Sequence, residues 1–122
     1  MATFWKPTAD MFSQLFEKPK MSEKLLQKPP FKYIFDIIME TSKRTGFAKD
    51  LYSPAELAPD FYTNKENKIL FLKKVQDLVQ TMLQREIPCK PTRVVAGHEP
   101  ENTNLLLQGI YESAVSGIDS TS

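Results

Sequence analysis

The sequence predicts an all-α domain. Apolar residues recur at three- and four-residue spacing in several separate stretches, strand-like alternation barely appears, and prolines stand at the edges of the periodic stretches. These features describe three or four substantial helices joined by proline-punctuated turns. The result is a small helical globule and not an up-and-down bundle with short loops.

The elements follow in chain order. In KPTADMFSQLFEKP, Phe12, Leu15 and Phe16 share a stripe that Trp5 extends; Pro7 is tolerated in a first helical turn and Pro19 closes the segment. In MSEKLLQ, Ser22 is placed to cap one or two turns ending before Pro29, after which the proline pair holds the backbone extended. PFKYIFDIIMETSKRTGF carries the clearest pattern: Phe31, Ile34, Phe35, Ile38 and Ser42 fall at helical spacing and Ile37 widens the stripe. Gly46 suits the left-handed position after that helix, with Lys43 and Arg44 beside its last carbonyls. LYSPAELAPDF reads as one short turn, capped by Ser53, opened by Pro54 and stopped by Pro59.

NKENKILFLKKVQDLVQTMLQRE predicts a long helix. Leu72, Val75, Val79 and Met82 form its buried stripe, widened by Phe71, Leu78 and Leu83, while Lys73, Asp77, Gln80 and Gln84 take the wet side and Pro88 ends the run. KPTRVVAG reads as one capped turn with Gly97 after its end. The last helix runs from about Pro100 to Gly117, with Leu106, Leu107, Ile110 and Ala114 facing inward.

A chain of 122 residues suits one domain with one core, residues 1–118, followed by a frayed tail over 119–122. Hydrophobic residues at 41% are enough to fill such an interior. No apolar run approaches the roughly 20 residues that span a bilayer. MATFWKPTAD lacks a signal peptide's basic start, apolar stretch and cleavage site, so the chain reads as cytosolic without membrane insertion. Cys89 is the sole cysteine, which leaves no intrachain disulfide and no cysteine-based zinc site.

Net charge is only +1, but it is unevenly placed: residues 1–49 carry nine Lys/Arg against five Asp/Glu, and residues 94–122 carry no Lys/Arg and four acids. Lys18, Lys20, Lys24, Lys28 and Lys32 follow one another closely, with Glu23 the one acid among them. Such a region is either a solvated face or a docking surface for an acidic partner. The net charge falls well short of that of a nucleic-acid-binding domain.

Catalytic patterns are scarce. GxxxxGK[ST] and GxSxG do not occur, and four glycines cannot build a Gly-rich phosphate cradle. One histidine argues against a zinc site, and no cofactor is expected. RVVAGHEPENTNLLLQ gathers His98, Glu99, Glu101 and Asn102, and Cys89 lies a turn upstream. A thiol–imidazole pair can be drawn there. The structural alternative is a helix-to-helix corner: Gly97 reverses the chain, Pro100 opens the last helix and the acids complement its dipole. Cys89 then serves as a small buried side chain.

Four blocks, SEKLLQKPPFKYIFDII, TGFAKDLYSPAEL, KILFLKKVQDLV and KPTRVVAGHEPENTNLLLQ, resemble in order and spacing the N-terminal domain of the intraflagellar transport protein fifty-four family. These are microtubule-interacting proteins associated with a TNF-receptor adaptor. The resemblance covers about residues 20–115; the first twenty match less well. It implies a divergent calponin-homology fold without catalytic activity. It also implies membership of the B complex of ciliary transport trains, placement at the cilium or flagellum, basal body and cytoplasm, and tubulin as partner. Other B-complex subunits would be engaged through a linker and coiled coil absent from this chain, which the resemblance makes an N-terminal, monomeric fragment.

The family's basic positions carry over as Lys24, Lys28 and Lys32, Lys43 and Lys49 around the TGF turn, Lys74 on the long helix, and Lys90 and Arg93 in the KPxR block. Arg44 stands where the family pattern has an apolar residue. Tubulin is acidic, so the implied mechanism is electrostatic docking, screened beyond about 8 Å at physiological salt and favouring fast encounter over tight binding. The competing reading is a docking module that receives another transport subunit in an exposed apolar groove, insensitive to salt.

Overall fold

The computed structural model of the chain describes residues 3–18, 20–48 and 51–116. Among these, the regular structure consists of α-helices and one 3-10 turn, with no strand, so the predicted all-α class is the one that forms.

Helix α1 (Lys6–Ser13) has Pro7 in its first turn and stops earlier than the apolar pattern suggests. Two further N–H groups, of Leu15 and Phe16, still bond to the Phe12 carbonyl at 3.0 and 3.1 Å, and this tight turn folds Phe16 back into the core. Helix α2 (Glu23–Gln27) starts at Ser22, whose hydroxyl accepts the Leu25 N–H at 3.4 Å. It ends before Lys28, whose φ of −152° is not helical. Lys24 and Lys28 therefore do not form one helical stripe.

Helix α3 (Phe31–Thr45) ends at Gly46, in the left-handed region with φ 82°, and the Gly46 N–H bonds to the Ser42 carbonyl at 2.8 Å. Its buried face is Tyr33, Ile34, Ile37, Ile38 and Thr41. This is rotated from the predicted stripe: Phe31, Phe35 and Ser42 are only partly covered. Tyr33 and Thr41, which the predicted stripe does not include, are inside despite their polar groups. Each hydroxyl, however, finds a backbone acceptor: Tyr33 donates to the Lys20 carbonyl and Thr41 to that of Ile37, both at 2.7 Å. A satisfied hydroxyl can be buried at little cost.

Helix α4 (Pro54–Leu57) carries a full capping box, with Ser53 accepting the Glu56 N–H and Glu56 accepting the Ser53 N–H. Pro59 does more than stop it, since it opens the 3-10 turn Pro59–Tyr62. Asn64 then caps α5 (Lys65–Leu83), which ends with Gln84 in the left-handed region. Its buried face is Phe71, Leu72, Val75, Gln76 and Val79; Met82, predicted inside, is only half-buried. Helix α6 (Pro91–Val95) has no side-chain cap, and α7 (Pro100–Val115) completes the order.

Helix α7 is the centre of the molecule. It packs against α1, α3 and α5 and buries Thr103, Asn104, Leu106, Leu107, Gly109, Ile110 and Ser113. Gly109 lets α5 approach closely: a Cβ there would lie 2.9 Å from Val79 Cγ1 and 3.2 Å from Ile87 Cδ1. The two ends of the chain meet on this helix. Phe12 of α1 makes an edge-on ring contact with Tyr111 at 5.5 Å, and Gln108 donates to the Thr8 hydroxyl at 3.1 Å. Asn104 donates to the Leu26 carbonyl at 2.7 Å, which fixes α2 to the start of α7.

Candidate functional site

The positions singled out for tubulin divide into groups with different surroundings; Lys49 lies outside the described residues. The first group is brought together by the Asn104–Leu26 bond. With α2 fixed there, Lys28 crosses the corner between α6 and α7, and its Cε lies 3.0 Å from where a Cβ on Gly97 would stand. Gly97 has φ +80°, a conformation that side chains strain and glycine does not. The same residue therefore turns the corner and leaves space for the lysine stem. The His98 N–H bonds to the Arg93 carbonyl at 2.9 Å, which brings Arg93 to this corner, where its Nε lies 3.8 Å from Glu99.

Lys90 stands at the cap position of α6 with extended backbone, three residues before Arg93. Lys90 also shares a shallow groove of about 390 Å³ with Lys73 and Asp77 of α5. Lys73 and Lys90 thus share the α5–α6 groove with Asp77, and Lys28 and Arg93 stand at the α6–α7 corner with Glu99. Lys24 is exposed on the short helix beside it.

The second group lies along the outside of α3. Lys32, Asp36, Glu40 and Lys43 repeat at helical spacing, and Lys18 joins Lys43 in a shallow groove with Asp36 and Glu40. Lys32 bonds to Asp36 at 2.6 Å and Arg44 to Glu40 at 2.8 Å. Arg44 is exposed, so a polar residue is accommodated where the family pattern suggested an apolar one. The acids partly neutralise this face.

Lys74 stands apart. Its ammonium bonds to both carboxylate oxygens of Glu56, at 2.9 and 2.8 Å, and lies 5.3 Å from the centre of the Tyr52 ring. This lysine fastens α4 to α5. The bond from Lys74, helped by the Ser53 N–H, holds the Glu56 carboxyl below its ordinary pKa. A carboxylate whose pKa is depressed on folding contributes stability above its unfolded value of about 4.3, and that contribution is lost as pH falls through the folded value. Glu56→Gln, which keeps the acceptor of the capping box and removes the ion pair, is accordingly expected to cost at most about 1 kcal/mol at neutral pH. The difference should shrink toward zero as the pH falls through the folded value; paired thermal melts at neutral and strongly acid pH measure it.

Lys18 and Lys73 extend these groups and were not among the positions carried over from the family pattern. A lysine on a wet helical face looks the same in sequence whether it stands alone or beside a second cation from another element. No sequence signal separates the two cases.

The Cys89–His98 pair has no nucleophile. Cys89 is buried, and burial, with the Glu99 carboxylate adding to it, pushes its thiol up to about 12. Such a thiol stays protonated at neutral pH. His98 is exposed, and Glu99 takes the cap position of α7 with φ 52°. Among the described residues no three His, Cys, Asp or Glu gather to hold a metal ion, and no helix is long and apolar enough to cross a membrane.

Comparison with known proteins adds the lineage of this arrangement. Residues 4–116 match the family model described as the microtubule-binding protein MIP-T3 CH-like domain. The chain belongs to the MIP-T3 CH-like domain family. The match begins at residue 4, so α1 is part of the MIP-T3 CH-like unit and the resemblance reaches further toward the N-terminus than the motifs suggested. Among curated proteins the chain is similar to TRAF3-interacting protein 1 of Danio rerio, 44% identical over 115 residues, 94% of this chain and 18% of that protein. The Rattus norvegicus protein of the same name is 44% identical over 113 residues, 93% of this chain and 17% of the relative. That of Mus musculus is 43% identical over 113 residues, 93% and 18% respectively. The chain thus spans less than a fifth of the length of these relatives.

Proposed function

We propose that this chain is a non-catalytic interaction domain, residues 1–118, that binds tubulin weakly through its basic surface. We assign it to an intraflagellar transport complex B subunit working in ciliary assembly and cargo transport. Its place is the cilium or flagellum, the basal body and the cytoplasm. The other subunits of that complex would be engaged by parts of the protein outside this chain.

One observation carries the reading beyond the family. Cations from three separate regions of the sequence, Lys73, Lys90, Arg93 and Lys28, stand around α6, and we read them as one basic band. A shallow basic edge suits an acidic protein surface better than a small molecule, because it recognises charge without enclosing a ligand. The acids within the band, Asp77 and Glu99, keep the attraction modest and favour a readily reversible contact.

The test is a salt titration with unpolymerised tubulin. Binding should weaken steadily as salt rises, because exposed charges are screened within about 8 Å at physiological ionic strength. The double variant Lys28→Glu, Arg93→Glu should reduce affinity about tenfold or more, roughly 1 kcal/mol for each exposed charge reversed. Lys74→Met serves as a contrast, expected to lower thermal stability more than tubulin affinity. Binding that ignores both salt and the double reversal would sink the electrostatic reading.

A further inference from the structure

A second concave feature lies at the start of α3. Pro30, Phe31, Lys32, Phe35, Tyr62 and Lys68 line a groove of about 350 Å³, at the small end of the roughly 300–1,000 Å³ typical of ligand pockets. Its floor is aromatic and rigid. Phe31, Phe35 and Tyr62 are in mutual ring contact, with centroids 5.1 to 6.2 Å apart, and all three rest on the buried ring of Phe71. The Tyr62 hydroxyl donates to the Glu56 carbonyl, which fixes that wall and turns its polar end away from the groove.

Three features of the rim are electropositive. Lys68 makes no ion pair among the described residues, and its ammonium lies 5.7 Å from the centre of the Phe31 ring. Lys32 is held to Asp36 at 2.6 Å yet keeps 77% of its side chain exposed. Helix α3 begins at Pro30 with no side-chain cap, so its first-turn N–H groups lack intrahelical acceptors and present the positive end of the helix dipole. Among the described residues Asp36 is the one carboxylate bonded to this rim. An apolar floor ringed by positive charge complements a side chain of opposite design, an apolar ring flanked by carboxylates.

We propose that this groove docks an extended acidic peptide segment of a partner protein, seating one aromatic side chain between Phe31, Phe35 and Tyr62. Carboxylates on either side of that side chain meet Lys68 and Lys32. The proposal stands apart from the tubulin reading: it shares only Lys32 with the positions named there and is tested without tubulin.

The isotopically labelled 122-residue chain is titrated, by backbone amide NMR, with a blocked hexapeptide of glutamates carrying one central phenylalanine. Saturable shifts should centre on Phe31, Phe35, Tyr62 and Lys68. Replacing the phenylalanine of the peptide by serine should weaken binding about tenfold or more, the least that burying such a ring is worth. The Lys32→Met, Lys68→Met variant should weaken it several-fold. Equal binding of the serine peptide overturns the proposal, as do shifts centred on Lys28 and Arg93 instead of the groove. Groove shifts that grow with protein concentration in the absence of peptide would assign the site to a second copy of the chain and also overturn it.

Discussion

Phe71→Ala is expected to lower the stability of the chain by about 3–5 kcal/mol, the usual cost of emptying a buried aromatic site. Phe71 is 1% exposed. It stacks on Tyr52 at 4.3 Å and meets Phe31, Phe35 and Tyr62 at 5.2 to 5.5 Å. These rings come from α3, α5, the 3-10 turn and the loop before α4, so one deletion loosens four segments. A domain stable by about 5–15 kcal/mol loses a large share of its margin. Urea unfolding read by tyrosine fluorescence should show the midpoint fall with little change of slope. A loss under about 1 kcal/mol would mean that the neighbouring rings collapse into the space.

Gln76→Leu should be nearly as damaging, although the substitution adds an apolar side chain to an apolar face. Gln76 is 8% exposed, and its amide donates to the carbonyls of Ile87 at 3.0 Å and Cys89 at 2.7 Å. It holds the extended segment between α5 and α6 against the long helix. Leucine leaves two carbonyls without that donor, at about 1–3 kcal/mol for each that stays buried. Part of this is offset by the added apolar burial, so the expected net loss is about 2–4 kcal/mol. Gln76→Glu provides a second check. It keeps the shape and removes the donor, and should be worse than leucine because an ionised carboxylate would face two carbonyl oxygens. If Gln76→Leu melts at or above the wild-type temperature, the two carbonyls have found other donors.

Much of the fold was legible because its boundaries are chemically local. Ser22 and Ser53 cap the helices they precede, Pro54, Pro91 and Pro100 stand in first turns, and Gly46 ends α3 in the left-handed region. Each signal acts within four residues, so the sequence displays it directly. What the apolar stripes leave out are the polar side chains that are nevertheless buried. Gln76 and Tyr33 are inside because the backbone carbonyls of Ile87 and Lys20 accept their hydrogen bonds, and Thr41 because the Ile37 carbonyl one turn back accepts its own. Periodicity sorts residues by polarity and has no access to those acceptors.

The surface was less legible than the core. That Lys28 overhangs Gly97, that Lys73 shares a groove with Lys90, and that Lys74 is engaged by Glu56 all follow from which helices touch. The aromatic groove is another case. Phe31 and Phe35 were assigned to the core stripe of α3, and only the placement of Tyr62 and Lys68 beside them reveals an accessible concavity.

The meeting of the chain's two ends on α7 has a consequence for biosynthesis. Helices α1 and α2 are made before the other helices of the domain, but their docking partners, Tyr111, Gln108 and Asn104, come with α7, after all the rest of those helices. At about 5–20 residues per second, the first helix waits roughly 5–20 s for its seat. Throughout that interval Phe12, Phe16 and Leu26 have no core to enter, and the nascent chain presents them to whatever binds apolar segments at the ribosome. Native packing of α1 and α2 therefore comes in one late step of the domain's synthesis, when α7 emerges and closes the domain around itself.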